Sequence, residues 1–265
     1  MLAMEELDSI RRDGAAGISE LLDADDTLFP NTNRYEEAKV KMKALFEKVG
    51  FDPNYAVAKF EEIDHNGVKK FGFSSKRFPT SMVDTYKQLC GERDMIPNPA
   101  IEKQLFEIGK EVFEGPWELF PWVRETLDAL RERGDKLIIL TAGDRKVQKK
   151  KITSLGLDEL VDAYEIVGMK DANTFAEVIS KYKLNRDSTT MIGNSLKSDI
   201  LPARQAGIRA VLIHVDTWSF ERLNDDQTKE LARLGYKEVS SFAEILRVLP
   251  SNCHKKIEPV ERVKN

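Results

Sequence analysis

Apolar residues recur at helical spacing through the first half of the chain and in short unbroken runs through the second. Between residues 34 and 50, Val40, Met42, Leu45, Phe46 and Val49 fall largely on one face, which predicts a helix stopped by Gly50. Asp52-Pro53 reads as a capping residue and a first-turn proline. The helix they start is expected to reach about Ile63, with a turn at Asn66-Gly67. Further helices are expected over 80–90, 99–113 and 121–133. The texture then changes. LIIL (137–140), AYEIV (163–167), TTMI (189–192) and RAVLI (209–213) are short apolar runs, separated by helical stretches at 144–155, 174–182 and 198–205, with a last helix over 242–249. Strands alternating with helices predict an α/β fold, with a parallel Rossmann-like sheet covered by helices on both faces. A shorter strand is expected around 19–22, weakened by Glu20.

This pattern predicts a sheet domain made of residues 18–30 and 116–249, interrupted by a mostly helical domain over 31–115. Residues 1–17 and 250–265 read as polar tails. In an open parallel sheet, ligands bind beyond the carboxyl ends of the strands. Four segments are thereby expected in one crevice: 23–27, 141–144, 168–170 and 193–199.

Composition narrows the class of function. The chain has 265 residues, a balance of 41% hydrophobic to 32% charged, and a net charge of -4. That suits a globular protein and gives no reason to expect a nucleic-acid partner. No apolar run is long enough to span a membrane, and the acidic start lacks the apolar core of a secretory signal. The cysteines, Cys90 and Cys253, read as free thiols. The expectation is a cytoplasmic protein with no membrane partner. Oligomeric state is not encoded in these features.

The chemistry lies at the strand ends. In Asp23-Ala24-Asp25-Asp26-Thr27, two carboxylates sit two residues apart just past a strand. Carboxylates held so close repel unless a cation or a proton lies between them, and a hard divalent ion such as Mg2+ fits oxygen donors. Thr141-Ala142-Gly143-Asp144 places a hydroxyl, a small residue and a glycine before a helix start, where backbone amides favour phosphate oxygens. It also suits a plain loop with Asp144 as the cap. Lys170 follows the AYEIV strand and could neutralise phosphate. Asn194 and Asp199 offer an amide oxygen and a carboxylate beside the same crevice; each could instead serve the following helix.

Taken in order, these segments resemble the motifs of the haloacid dehalogenase-like superfamily of hydrolases. Asp23-Ala24-Asp25-Asp26-Thr27 matches D-x-D-x-T, LIIL-Thr141 the second motif, Lys170 the third, and Gly193-Asn194-Ser195-Leu196-Lys197-Ser198-Asp199 the fourth, G-D-x-x-x-x-D, with Asn194 in place of an aspartate. The resemblance covers roughly 18–249 and implies that 31–115 is a helical cap. It implies a Mg2+-dependent phosphatase acting on a small phosphorylated metabolite. Asp23 would be the nucleophile and would form an aspartyl-phosphate, with Asp25 as general acid and base. Thr141, Ala142, Gly143 and Lys170 would hold the phosphoryl group. Asp23, the Asp25 carbonyl, Asn194 and Asp199 would hold the metal. Lys170 is followed by Asp171-Ala172 rather than the family's common proline, which leaves Lys181 and Lys183 as poorer candidates. Asp25 argues against carbon–halogen chemistry, whose enzymes lack an acid there. A phosphomutase, or a binding protein that keeps the fold, are the alternatives.

Other features have plainer readings. Lys69-Lys70, Lys76-Arg77 and Phe71, Phe73, Phe78 could meet a second anionic group or a ring, or form a solvated basic loop with inward phenylalanines. His214 reads as a strand-end residue with a local partner, with Trp218 at the rim. Lys149-Lys150-Lys151 reads as solvent-facing, and Cys253-His254 as too isolated to bind a metal.

Overall fold

The computed structural model describes residues 17–215 and 221–250. Its centre is a six-stranded parallel sheet: β1 (Ser19–Leu22), β2 (Lys136–Ala142), β3 (Ala163–Val167), β4 (Thr189–Gly193), β5 (Arg209–Ile213) and β6 (Lys237–Val239), in the order β3-β2-β1-β4-β5-β6. Side chains alternate across it as a strand requires. Leu22, Ile139, Ile192 and Val211 enter one core, while Leu21, Ile138, Met191 and Ala210 enter the other. Helix α5 (Val123–Glu132) covers the first face together with α6 (Arg145–Ser154) and the short α10 (Ile245–Val248). Helices α7 (Ala172–Lys181), α8 (Leu201–Gln205) and α9 (Asp225–Leu234) cover the second. The strand order reverses direction at β1, which pairs with both β2 and β4. A crevice opens there, beyond the strand ends.

Between β1 and β2 the chain leaves the sheet. It forms α1 (Thr32–Lys48), α2 (Pro53–Phe71), α3 (Arg77–Gly91) and α4 (Pro99–Lys110). These helices bury a core of their own, including Met42, Phe46, Phe60, Met82 and Leu105. The expected cap for α2 is in place: the Asp52 carboxylate accepts from the amides of Asn54 and Tyr55, and Pro53 sits at the first helical position.

Several expectations change. Helix α2 does not stop near Ile63 but runs through Asn66-Gly67 to Phe71. The absence of a side chain at Gly67 admits Arg77, whose Cγ would lie 3.2 Å from a Cβ there. Arg77 thereby reaches a buried ion pair with Asp64, so packing overrides the turn tendency of the dipeptide. Val40 is 68% exposed, and Ala38 takes the buried position on α1. β1 is fully buried at the centre of the sheet despite Glu20, whose carboxylate is met by Arg133 at 3.5 Å. β6 and α9 lie where no element was expected. Cys90 is a buried free thiol in the helical insertion, while Cys253-His254 and Trp218 lie outside the described residues. No helix among the described residues is long and apolar enough to cross a membrane.

Candidate functional site

The first carboxylate pair is placed by a tight loop continuing β1. Asp23 still belongs to the sheet through its N–H, which donates to Ile192 O at 2.9 Å. The chain then turns, with Leu28 N donating to Ala24 O, and Asp26 adopts a left-handed backbone with φ 58° that short polar residues tolerate best. Ala24 points into the core, while Asp23 and Asp25 line the crevice. Asp26 does not join them chemically. Its carboxylate accepts from the amides of Asn31 at 2.7 Å and Thr32 at 2.9 Å and from the Thr32 hydroxyl, tying the loop to the start of α1.

Lys170 meets Asp23 from across the sheet. Its ammonium bridges the Oδ1 atoms of Asp23 and Asp199, and all three groups are buried. Burial works against the lysine's charge, but the two carboxylates outweigh it and push the ammonium's pKa up. Burial, reinforced by the Asp199 charge, lifts Asp23 to about 7. Lys181 instead pairs with Glu165 on the surface. The loop after β3 therefore delivers Lys170, although no proline follows it.

Asp199 is set by a close approach. Its Oδ2 accepts from the Ser195 amide at 3.0 Å, and a Cβ added at Gly193 would lie 2.3 Å from that oxygen. Glycine ends β4 because the carboxylate occupies the space of a side chain. A π turn over Leu196–Ile200, earlier than the expected helix start at 198, carries Asp199 back over the strand end.

Thr141 is the next-to-last residue of β2 and is fixed by a residue that sequence reasoning missed. Gln148 Nε2 donates to Thr141 Oγ1 at 2.7 Å and to Asp25 Oδ2 at 3.1 Å. With its oxygen so engaged, the Thr141 hydroxyl can donate its proton outward. Lys151, expected in solvent, is buried; it lies 2.7 Å from Asp25 Oδ1 and 2.8 Å from Asn31 Oδ1. Only the phase of α6 distinguishes it from Lys149 and Lys150. Gln148, Lys151 and Ile152 are the buried residues of that helix, at the i, i+3, i+4 spacing of an inward face, and that spacing was the available signal.

The amides expected to hold phosphate are partly committed elsewhere. Asp144 caps α6 by accepting from Lys146 N at 3.0 Å and Val147 N at 3.3 Å, and Gly143 N donates to Val167 O. Of the groups expected to hold phosphate, the Thr141 hydroxyl and the Lys170 ammonium are side-chain donors at the cavity, which Ala142 and Gly143 also line. Asp144 also accepts from the Ser75 hydroxyl at 2.7 Å, which ties the segment before α3 to the loop after β2. Burial opposes its charge, but these hydrogen bonds outweigh that and lower its pKa.

Asn194 faces the same crevice, with Oδ1 at 3.4 Å from the Thr27 hydroxyl, which lies 3.2 Å from Asp23 Oδ2. Among the described residues no three His, Cys, Asp or Glu side chains form a metal-binding group. The available set is instead two carboxylates, Asp23 and Asp199, with the Asn194 amide oxygen. All are oxygen donors, the set that suits Mg2+. The charge balance points the same way. The described residues lining the cavity include nine Asp and Glu against four Lys and Arg, an excess that a divalent cation would reduce.

All eight sequence-derived candidates, Asp23, Asp25, Thr141, Ala142, Gly143, Lys170, Asn194 and Asp199, line this single cavity. His214 does not; it lies 2.8 Å from Glu238, a local partner.

Known proteins resemble this chain. A glyceraldehyde 3-phosphate phosphatase of Methanopyrus kandleri is 24% identical over 79% of this chain and 90% of its own length. A protein of the same name from Methanothermobacter thermautotrophicus is 31% identical, over 39% of this chain and 48% of its own. The matched stretch thus spans about half the length of some of the curated relatives. The crystal structure of a haloacid dehalogenase-like family hydrolase from Xanthomonas campestris superposes with a TM-score of 0.67 at 26% identity, covering 84% of this chain and 92% of that one. The model of the haloacid dehalogenase-like hydrolases matches residues 21–207, from the strand before Asp23 to beyond Asp199. With the strand-end carboxylates, hydroxyl and lysine gathered within that stretch, the chain belongs to the haloacid dehalogenase-like hydrolase family.

Proposed function

We propose that this chain is a Mg2+-dependent phosphatase that hydrolyses a small phosphorylated metabolite through an aspartyl-phosphate on Asp23. The observation that carries the reading is the convergence of Lys170 on Asp23 and Asp199, beside Asp25 and Thr141. The relatives named as phosphatases of a small sugar phosphate support the substrate class.

The residues divide the work. Asp23 attacks phosphorus, and the bond from phosphorus to the substrate's alcohol oxygen breaks. Asp25 protonates that leaving oxygen. It then takes a proton from the water that attacks the phosphorus of the aspartyl-phosphate, releasing Asp23 and phosphate. Gln148 and Lys151 hold the two Asp25 oxygens in place. Thr141 and Lys170 donate to phosphoryl oxygens, where charge spreads in the transition state. Asp23, Asp199, Asn194 and the Asp25 main-chain carbonyl would hold Mg2+, which when bound draws charge from the attacking carboxylate and the phosphoryl group. The helical insertion, acting as a cap, would exclude water and select the alcohol.

Phosphate release from a generic aryl phosphate tests this. Mg2+ should support turnover, a chelator should suppress it, and added Mg2+ should restore it. No turnover with Mg2+, Mn2+ or Co2+ from mildly acid to mildly alkaline pH would refute the reading. A screen across sugar phosphates, nucleoside monophosphates and phosphoamino acids would then locate the substrate.

A further inference from the structure

We infer that the substrate is a monoester whose alcohol presents a flat, neutral or cationic group and carries no second anion. This rests on the phosphatase reading above and extends it to the part of the cavity formed by the helical insertion.

Aromatic rings line that side of the cavity: Tyr35, Phe60, Phe73, Phe78 and Phe113. Four of them interlock edge to face. Tyr35 and Phe78 have centroids 4.9 Å apart, Phe60 and Phe78 5.3 Å, and Tyr35 and Phe113 6.2 Å. Phe60 and Phe78 are buried in the core of the insertion, and the half-buried Tyr35 and Phe113, braced on them, give a stiff apolar surface that suits a planar group.

The charges on the same wall are already spoken for. Lys39 lies 2.8 Å from Glu36 and 3.6 Å from Glu61, one cation against two carboxylates. Arg77 is buried in its ion pair with Asp64. Among the described residues on this wall, three acids thus face two bases, with His65 beside them. The basic residues singled out in the sequence do not change this. Lys69, Lys70 and Lys76 are exposed and do not line the cavity. On the sheet side, Lys170 and Lys151 are held by Asp23, Asp199 and Asp25. A second phosphate or a carboxylate on the substrate would therefore meet a wall of neutral or negative charge, which selects against it.

The test uses three phenyl phosphates that differ only at the para position: methyl, aminomethyl and carboxymethyl. The methylene insulates the leaving oxygen from the charge, so the three differ little in intrinsic reactivity. With Mg2+ present, kcat/KM for the carboxymethyl compound should be about tenfold below that of the methyl compound, with the difference in KM. The aminomethyl compound should equal or exceed the methyl one. The Glu36→Gln/Glu61→Gln variant should fold, since both acids are partly exposed, and in it the gap should shrink to about twofold. Calorimetric binding of the same compounds to the Asp23→Asn protein gives a readout that does not need turnover. The same charge order in binding without hydrolysis by the unaltered protein would keep this inference and refute the phosphatase reading. Hydrolysis with no charge order, with the anionic compound preferred, or with discrimination unchanged in the double variant would do the opposite. Binding of none of the three would overturn the inference.

Discussion

Lys151 Nζ lies 2.7 Å from Asp25 Oδ1, and the two residues are 126 positions apart in the chain. The contact joins the loop after β1 to the inward face of α6. It also fixes one oxygen of the proposed acid and base. Lys151→Met keeps much of the side chain's length but removes the charge, leaving Asp25 and Asn31 without this donor. Asp25 is a quarter exposed, so water relieves part of the loss. Stability should fall by about 1–3 kcal/mol, and kcat should fall more than KM changes. Urea unfolding and steady-state kinetics measure the two effects separately.

Gln148 holds both Thr141 and Asp25 with one amide nitrogen. Gln148→Glu is nearly isosteric but replaces the donor with an acceptor, which cannot hold the Asp25 carboxylate and would draw the Thr141 proton away from the cavity. The expected outcome is a kcat loss of about tenfold to a hundredfold with little change in cooperativity of unfolding. Gln148→Asn, too short to span both partners, should not restore activity. Kinetics of the two variants on one substrate make the comparison.

Gly193 leaves no room for a side chain, since a Cβ would lie 2.3 Å from Asp199 Oδ2. Gly193→Ala should displace that carboxylate from the Ser195 amide and from Lys170. A cost of about 1–3 kcal/mol is expected from overpacking, together with weaker Mg2+ dependence of activity. A metal titration of turnover reads the second effect, and denaturant unfolding the first.

Glu20 gives a pH-dependent prediction. Burial, reinforced by the Asp135 charge, holds its pKa well above the ordinary 4.5. The folded protein therefore keeps a proton there at pH values where the unfolded chain has lost it. Stability should fall as pH rises from about 4.5 through the folded-state value, with a slope of at most about 1.4 kcal/mol per pH unit from this group. Glu20→Gln should flatten that part of the curve and be the more stable protein at its alkaline end. Urea unfolding at several pH values between 5 and 8 checks the sign.

Much of this was legible in the chain because parallel strands are short apolar runs and the chemistry follows directly after them. Leu137–Leu140 leads to Thr141, and Met191-Ile192-Gly193 leads to Asn194. Residues that act across the fold were harder to read. Lys151 sits in a run of three lysines, and only docking of α6 on the sheet selects which one is buried. Glu20 interrupts an apolar strand, yet Arg133 meets it from more than a hundred residues away. Asn66-Gly67 carries a turn signal that the Arg77–Asp64 ion pair overrides. β6 has three residues with Lys237 and Glu238 exposed, too short and too polar a pattern to register.

The central claim is that Asp23 is the nucleophile. Asp23→Asn preserves shape and can still accept from Lys170, so the fold should remain intact by circular dichroism and thermal unfolding. Phosphate release with saturating Mg2+ should drop by at least about a thousandfold. A folded Asp23→Asn protein that hydrolyses the same substrate at a near-normal rate would contradict the account.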